Sequence, residues 1–518
     1  MANQNLFQSP RGKLLPQADA RNVAGAPAWL LPPKHRLAQY AATGCLNDTY
    51  YADAGDQLAT VLELGRDLDT RFLAQAAIHC RERGDMKDMP ALLVALLAAR
   101  GARELAPAFD RVIDNGRMLR SFVQIVRSGA TGRKSLGTRP KTLVQQWLNR
   151  ADEKTLLAAA VGTAPSLADV VRMVHPRPAQ AWRAAFFAWL VGKPYDARAL
   201  PPLTAAFDAW KRDRSAPLPA VPFQLLTALP LADRDWAQLA LQGGWQMLRM
   251  NLNTFARHGV FALPGMTDAV AARLCDPQEI ARARVFPYQL MAACRAAGAV
   301  LPARLRTALE EALDIALANV PRIAGRVVVC PDVSGSMASP VTGWRGAATS
   351  KVRCIDVAAL VAAALARRNP DTVMLPFARR VVEVALERDA TVMRNAEVLA
   401  GIGGGGTDCS APLAWLNRRK VDAELVVFVS DNASWIDAAR GAGATATLRE
   451  WRRFKERNPQ AKLACIDVTP YGTTQAPEAP DVLNVGGFSD AVFDILAAFA
   501  AGRLGAGHWV GEIESIAL

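Results

Sequence analysis

The sequence predicts an α-helical repeat array followed by an α/β domain built on a mainly parallel, doubly wound sheet. Three observations carry that expectation. Residues 36–320 are dominated by helix-length amphipathic stretches with almost no strand signal, whereas after Pro321 short apolar runs alternate with helical ones. At 518 residues the chain exceeds the length at which one hydrophobic core usually divides. Charge divides too: residues 1–325 hold 40 Lys+Arg against 27 Asp+Glu, while residues 326–518 hold 21 of each. The boundary is placed at residue 322, giving domains 1–321 and 322–518.

Residues 1–35 carry Gly, Pro, Asn and Gln without clear period and read as an arm packed along the surface. Helices are expected over 56–68, 71–83, 90–100 and 105–115, separated by short breaks marked by Gly or Pro. No strict sequence period is present, so the repeat reading rests on successive helices with short connections. The Pro-rich interval 201–222 reads as a long connector. In the second part, strands are expected over 326–330, 372–377, 424–429 and 462–468, with helices over 355–367 and 447–457. Residues 381–386 are a candidate antiparallel edge strand.

Composition narrows the function. A chain 51% hydrophobic and 21% charged folds rather than staying disordered. The net charge of +13 falls wholly in residues 1–325 and points to a polyanionic partner there. Arg outnumbers Lys in that part, which suits phosphate forks and stacking on bases. The eight cysteines are scattered with no CxxC pair, consistent with reduced thiols. The polar stretch 1–10 lacks a signal-peptide core, and no apolar run spans a bilayer, so a soluble, cytoplasmic protein is expected.

Site chemistry begins where the apolar run 327–330 ends in Asp332-Val333-Ser334-Gly335-Ser336. One carboxylate and two hydroxyls at spacings of two can converge on one point, as a hard cation such as Mg²⁺ requires. Two later loops complete the constellation: the glycine run 403–406 leading into Thr407, and Ser430-Asp431-Asn432 after the strand 424–429. In an open α/β sheet such loops meet at the carboxyl ends of the strands. Hydroxyls of Ser334, Ser336 and Thr407 would bind directly, with Asp332 and Asp431 supplying charge partly through water. Each piece alone is an ordinary turn; the weight comes from all three at successive strand ends. A phospho-aspartyl role for Asp332 is disfavoured, because the second Asp of that pattern is replaced by Ser334. The five positions resemble the metal-ion-dependent adhesion site of von Willebrand factor A domains.

The helical part offers three basic segments. Residues 127–141 hold Arg127, Arg133, Lys134, Arg139 and Lys141 among glycines and small hydroxyl residues, so a phosphate backbone meets no stiff side chain. The stretch is not a Walker A loop, since Arg133 interrupts the pattern. Arg172, His175 and Arg177 cluster at a helix end, where His175 serves equally well as a cap. Arg249, Asn253 and Arg257 follow at spacings of four beside the apolar face Trp245, Leu248, Leu252 and Phe255. A solvated face is the plain alternative for each. The basic part shows no paired carboxylates or His–Lys set, so an RNA-processing enzyme is not indicated.

The loop Gly132-Arg133-Lys134-Ser135-Leu136-Gly137 with Trp147, the stretch 167–178, the segment 245–261 and residues 286–298 resemble the TROVE domain of the Ro autoantigen family in its bacterial form. The loop 405–410 fits that family's A domain, and the order of parts agrees across essentially the whole chain. The resemblance implies a ring of HEAT-like helices closed by the A domain and a non-catalytic role in RNA quality control. It implies that single-stranded 3′ ends of misfolded noncoding RNA enter the ring. It further implies that Y RNA binds the basic outer surface, with His175 facing it, and that polynucleotide phosphorylase is a candidate partner. RNA helices expose little sequence in their deep major groove, which leaves phosphates, 2′-hydroxyls and single strands to recognise. The alternative function is a Mg²⁺-dependent protein-interaction scaffold acting through the A domain.

Overall fold

The structure is a computed structural model describing residues 15–518 except 284, 286, 299, 388, 437, 439–442, 488–490 and 505–506. The chain forms two compact units. Among the described residues no helix is long and apolar enough to cross a membrane.

The helical unit comprises Tyr40–Leu46, Gly55–Asn319 and Glu512–Leu518. Its first helices run over Ala54–Asp67, Thr70–Glu82, Asp88–Ala99 and Leu105–Val112; the first three start one or two residues before the predicted position, and the fourth starts where predicted and ends earlier. Helix Asp88–Ala99 buries every residue from Met89 to Ala98, so it is apolar all round and lies at the centre of its neighbours. Helix starts are set by short polar side chains: Asp69, Asn115 and Asp152 each accept from an amide in the first turn that follows.

The repeat that the sequence hides is visible in hydrogen bonds. Arg100 donates to Gly65 O, Arg133 to Ala98 O, Arg139 to Ala102 O, Arg183 to Leu148 O and Arg273 to Gly243 O. Each reaches back 30 to 37 residues to carbonyls at or near a helix end. A guanidinium there satisfies acceptors that the helix leaves open and meets the negative end of its dipole. Much of the Arg excess is therefore structural, which corrects the reading of it as suited to phosphate forks and base stacking.

Two further expectations change. The interval 201–222 is not a connector throughout: Pro201 precedes the helix Pro202–Arg212, whose Phe207 and Trp210 are buried. Proline at a first turn loses no hydrogen bond, so it starts a helix as readily as it breaks one. The segment 245–257 is two short helices, Trp245–Met250 and Leu252–Arg257, separated at Asn251. Its apolar face is nonetheless buried as expected: Trp245, Leu248, Leu252 and Phe255 all face inward.

The α/β unit takes in the described residues up to Gln39, Asn47–Ala54 and Val320–Gly511. A single cut at residue 322 therefore misassigns both chain ends. The arm supplies β1 (Ala20–Arg21) and β2 (Pro27–Leu30), and β2 pairs antiparallel with β7 (Thr473–Thr474). Trp29 lies in the main core cluster, so this segment is part of the core and not a surface arm. The main sheet holds β3 (Val327–Pro331), β4 (Val373–Met374), β5 (Leu425–Ser430), β6 (Lys462–Asp467) and β8 (Val482–Gly486). Its order is β4-β3-β5-β6-β8 and every pairing is parallel. Strand order reverses beside β3, between β4 on one side and β5 on the other. Residues 381–386 form no strand; Val381 makes one isolated bridge to Phe377. Helices Cys354–Arg368 and Ala446–Arg457 match their predicted positions. All eight cysteines are free thiols.

Candidate cation site and basic helix ends

The cation-site loops meet where the sheet order reverses, the crevice in which open α/β sheets place ligands. Pro331 is in register with Val429, and Asp332 N donates to Val429 O at 2.9 Å. The loops after β3 and β5 therefore leave the sheet side by side. Asp332 Oδ1 accepts from Ser334 N at 2.8 Å and its Oδ2 from Ser430 Oγ at 2.5 Å. The Ser334 and Ser336 hydroxyls lie 3.4 Å apart, and Asp431 accepts from Ala433 N and the Ser336 side chain.

The glycine run brings the third loop in. Gly404 N donates to Val333 O and Gly335 N to Gly405 O, both at 2.9 Å. Gly404 and Gly405 have φ of 121° and 84°, which other residues rarely adopt. A side chain at Gly406 would collide with the Trp435 indole, whose backbone N donates to Thr407 O. Thr407 is thereby placed with the other four, and none of the five is more than 6% exposed.

Burying two carboxylates together is unfavourable without a counter-charge. Burial, with Asp431 alongside, pushes the Asp332 carboxyl up to about 7, and burial likewise raises Asp431. Among the described residues neither pairs with Lys, Arg or His. No described cluster of three or more His, Cys, Asp or Glu has metal-holding geometry, so a cation here would need the hydroxyls among its donors. Two carboxylates with three hydroxyls suit a hard divalent cation.

The basic segments fall into two groups. Helices Gly116–Ser128 and Thr138–Arg150 both pack on Leu167–Val174. Arg127 Nη1 lies 3.0 Å from Met173 Sδ, and Gln145 Nε2 donates to Val174 O at 2.6 Å. The structure thus joins the 127–141 loop to the 172–177 cluster. Arg127, Lys134, Arg172 and Arg177 are exposed around that junction, with Lys141 half-buried. His175 ends its helix in the left-handed conformation, as a cap, with an exposed side chain. Arg172 bonds to Val191 O and pairs with Asp169.

Other members are more firmly engaged. Arg133 and Arg139 serve carbonyls of the preceding repeat, as described above. Arg249 donates to Gln289 O and Gln246 Oε1, and Asn253 to Ala296 O at 2.8 Å. Arg257 bonds within its own helix. The stripe Arg249–Asn253–Arg257 is therefore bound largely into the structure, with Arg249 and Asn253 beside a recess of about 190 Å³ lined by alanines. Sequence reasoning missed a further cationic group. Desolvation and then the Arg117 and Arg81 guanidiniums hold the Lys87 ammonium below its usual range, and burial followed by Arg117 does the same to Arg120.

The family model described as the Ro60 vWA domain matches residues 326–500. The RNA-binding protein RO60 of Deinococcus radiodurans is 27% identical, covering 96% of this chain and 98% of its own length. Residues 326–500 thus match a Ro60 vWA domain, and nearly the whole chain is similar to a Ro60 protein. A Caenorhabditis elegans RNA-binding protein RO60 is 24% identical over 46% of this chain and 37% of its own. The crystal structure of the Deinococcus radiodurans RO (RSR) protein superposes with a TM-score of 0.60 at 23% identity, covering 91% of this chain and all of that one. That likeness establishes the order of a many-helix region followed by a five-stranded α/β domain.

Within this Ro60-like fold, charge follows the units less sharply than the sequence suggested. Among the described residues the helical unit carries 33 Lys+Arg against 26 Asp+Glu, and the α/β unit 23 against 20. Part of the shift arises because the cationic stretch 15–39 belongs to the α/β unit, whereas Glu512 and Glu514 belong to the helical one.

Proposed function

We propose that this Ro60-like chain is a non-catalytic RNA-binding protein that holds Y-like RNA and the single-stranded 3′ ends of misfolded noncoding RNA, in RNA quality control. The supporting observation is the junction of helix ends that presents Arg127, Lys134, Arg172 and Arg177 together. Four exposed cations on adjacent helix ends offer charge to the phosphates of a strand, and glycines in the loop let a backbone approach closely. Lys141 and His175 flank the contact, while Arg133 and Arg139 hold the loop in shape. The Deinococcus radiodurans relative, called an RNA-binding protein and matched over nearly its full length, points the same way. Filter binding to a structured RNA with and without a 3′ tail, across a salt series, tests the reading. Binding that is tight at low salt and falls steeply as salt rises is expected; weak binding indifferent to salt would refute it. Polynucleotide phosphorylase is the partner such a role implies.

A second reading rests on the buried carboxylate pair. Asp332, Ser334, Ser336, Thr407 and Asp431 would hold Mg²⁺ and could present it to an acidic group of a protein partner. D332A separates the two: it spares RNA binding under the first and abolishes Mg²⁺-dependent partner capture under the second.

A further inference from the structure

The five cation-site side chains are buried although they stand at strand ends, where such a site ordinarily opens to solvent. The segment Asn47–Ala54 belongs to the same compact unit. It is closed on itself: Thr49 N donates to Ala52 O at 2.8 Å, and Ala54 N to Asp48 Oδ1 at 3.1 Å. It is also fastened to the loop after Ser336. Trp344 N donates to Asp48 O at 2.8 Å, and Asn47 Nδ2 to Thr342 O at 2.9 Å.

That anchored turn carries Tyr51 to the site. The Tyr51 side chain hydrogen-bonds with that of Ser336, and the Asp431 and Asp332 carboxylates both act on its hydroxyl. Its ring stands edge-on to Tyr471, with centroids 5.3 Å apart, and 4.7 Å from Tyr50. The Tyr471 hydroxyl lies 3.5 Å from Thr49 Oγ1, which ties both rings to the same turn. A serine hydroxyl has one proton and two lone pairs. Ser336 can donate to Asp431, accept from Tyr51 and still offer a lone pair to a cation, so the phenol and a bound ion are compatible.

We propose that Tyr51 is the cover of the cation site: its hydroxyl serves Ser336, its ring closes the approach, and an external carboxylate reaches the ion only by displacing it. This rests on the reading that the site holds a divalent cation. Tyr51 is then a positioning residue that sets which oxygens compete for the open coordination position, favouring ligands able to pry the cover away over small solutes.

The test uses the full chain loaded with Mn²⁺, with water proton relaxation reporting water on the ion and acetate as the probe. Wild type, Y51F, Y51A and D332A are compared, with circular dichroism confirming the fold. Y51F removes only the hydroxyl and should bind acetate roughly fivefold more tightly than wild type, the factor corresponding to one neutral hydrogen bond. Y51A should bind it at least as tightly and show higher relaxivity before acetate is added. Acetate affinity and relaxivity unmoved in both variants, with Mn²⁺ still bound, would overturn the cover alone. Mn²⁺ binding that is absent from wild type, or insensitive to D332A, would overturn the cation site and the cover with it.

Discussion

Replacing Asp332 by Asn in cation-free protein separates the two demands placed on that carboxylate. Asp332 is fully buried beside Asp431, and its carboxyl is held at about 7 against an ordinary 3.8. Ionising it at pH 8 therefore costs about 4 kcal/mol relative to the unfolded chain. Asn removes the charge while its carbonyl can still accept from Ser334 N. What it loses is the bond from Ser430 Oγ to Oδ2, a charge-assisted contact of about 1.5–3 kcal/mol. The balance favours D332N by about 1–2 kcal/mol, or roughly 2–8 °C in the Tm of a unit this size. Mg²⁺ reverses the order. At a hundred times its Kd the cation stabilises wild type by about 2.7 kcal/mol and gives D332N nothing. The assay is thermal unfolding of both proteins at pH 8, in EDTA and in Mg²⁺. D332N melting below wild type in EDTA, or rising equally with Mg²⁺, would refute the reasoning.

Three further outcomes are expected. Asp332, Asp431 and Asp467 all have carboxyls raised by burial, so the folded state keeps protons that the unfolded chain has released. Cation-free protein should therefore lose stability as pH rises from about 4 through about 7, the reverse of a salt-bridged Asp, and Mg²⁺ should flatten the curve; melting temperatures across pH 5–8 decide it. Lys134→Ala, Arg172→Ala and Arg177→Ala should each weaken RNA binding and lower the salt slope by about one, measured by filter binding at graded salt. Arg133→Ala should instead reduce stability by about 1 kcal/mol, because its guanidinium caps Ala98 O, and a melt that moves no more than that of Lys134→Ala would contradict this assignment.

The strands were legible where they were fully buried. β3, β5 and β6 come from continuous apolar runs that leave no polar face to confuse the pattern. β8 was missed because Asn484 interrupts its run and is matched by polar partners that only folding supplies, Thr474 and Glu478. Residues 381–386 had strand-like composition but lack a pairing partner beyond one bridge, since pairing is a tertiary property. The cation-site ligands were readable because each lies at fixed spacing on a loop directly after a strand or glycine run. Tyr51 was not, because nearly three hundred residues of chain separate it from Ser336. The basic segments were legible as charge, but sequence alone cannot tell a guanidinium that caps a carbonyl from one left to solvent. Arg133 and Arg139 prove to be the first kind, and Arg177 stands exposed.

The most direct measurement is ultraviolet crosslinking of the full-length protein to a structured RNA with a single-stranded 3′ tail, with crosslinked peptides mapped by mass spectrometry. The account predicts crosslinks concentrated in residues 127–141 and 172–177. Crosslinks confined to the α/β unit, or spread evenly over the chain, would contradict it.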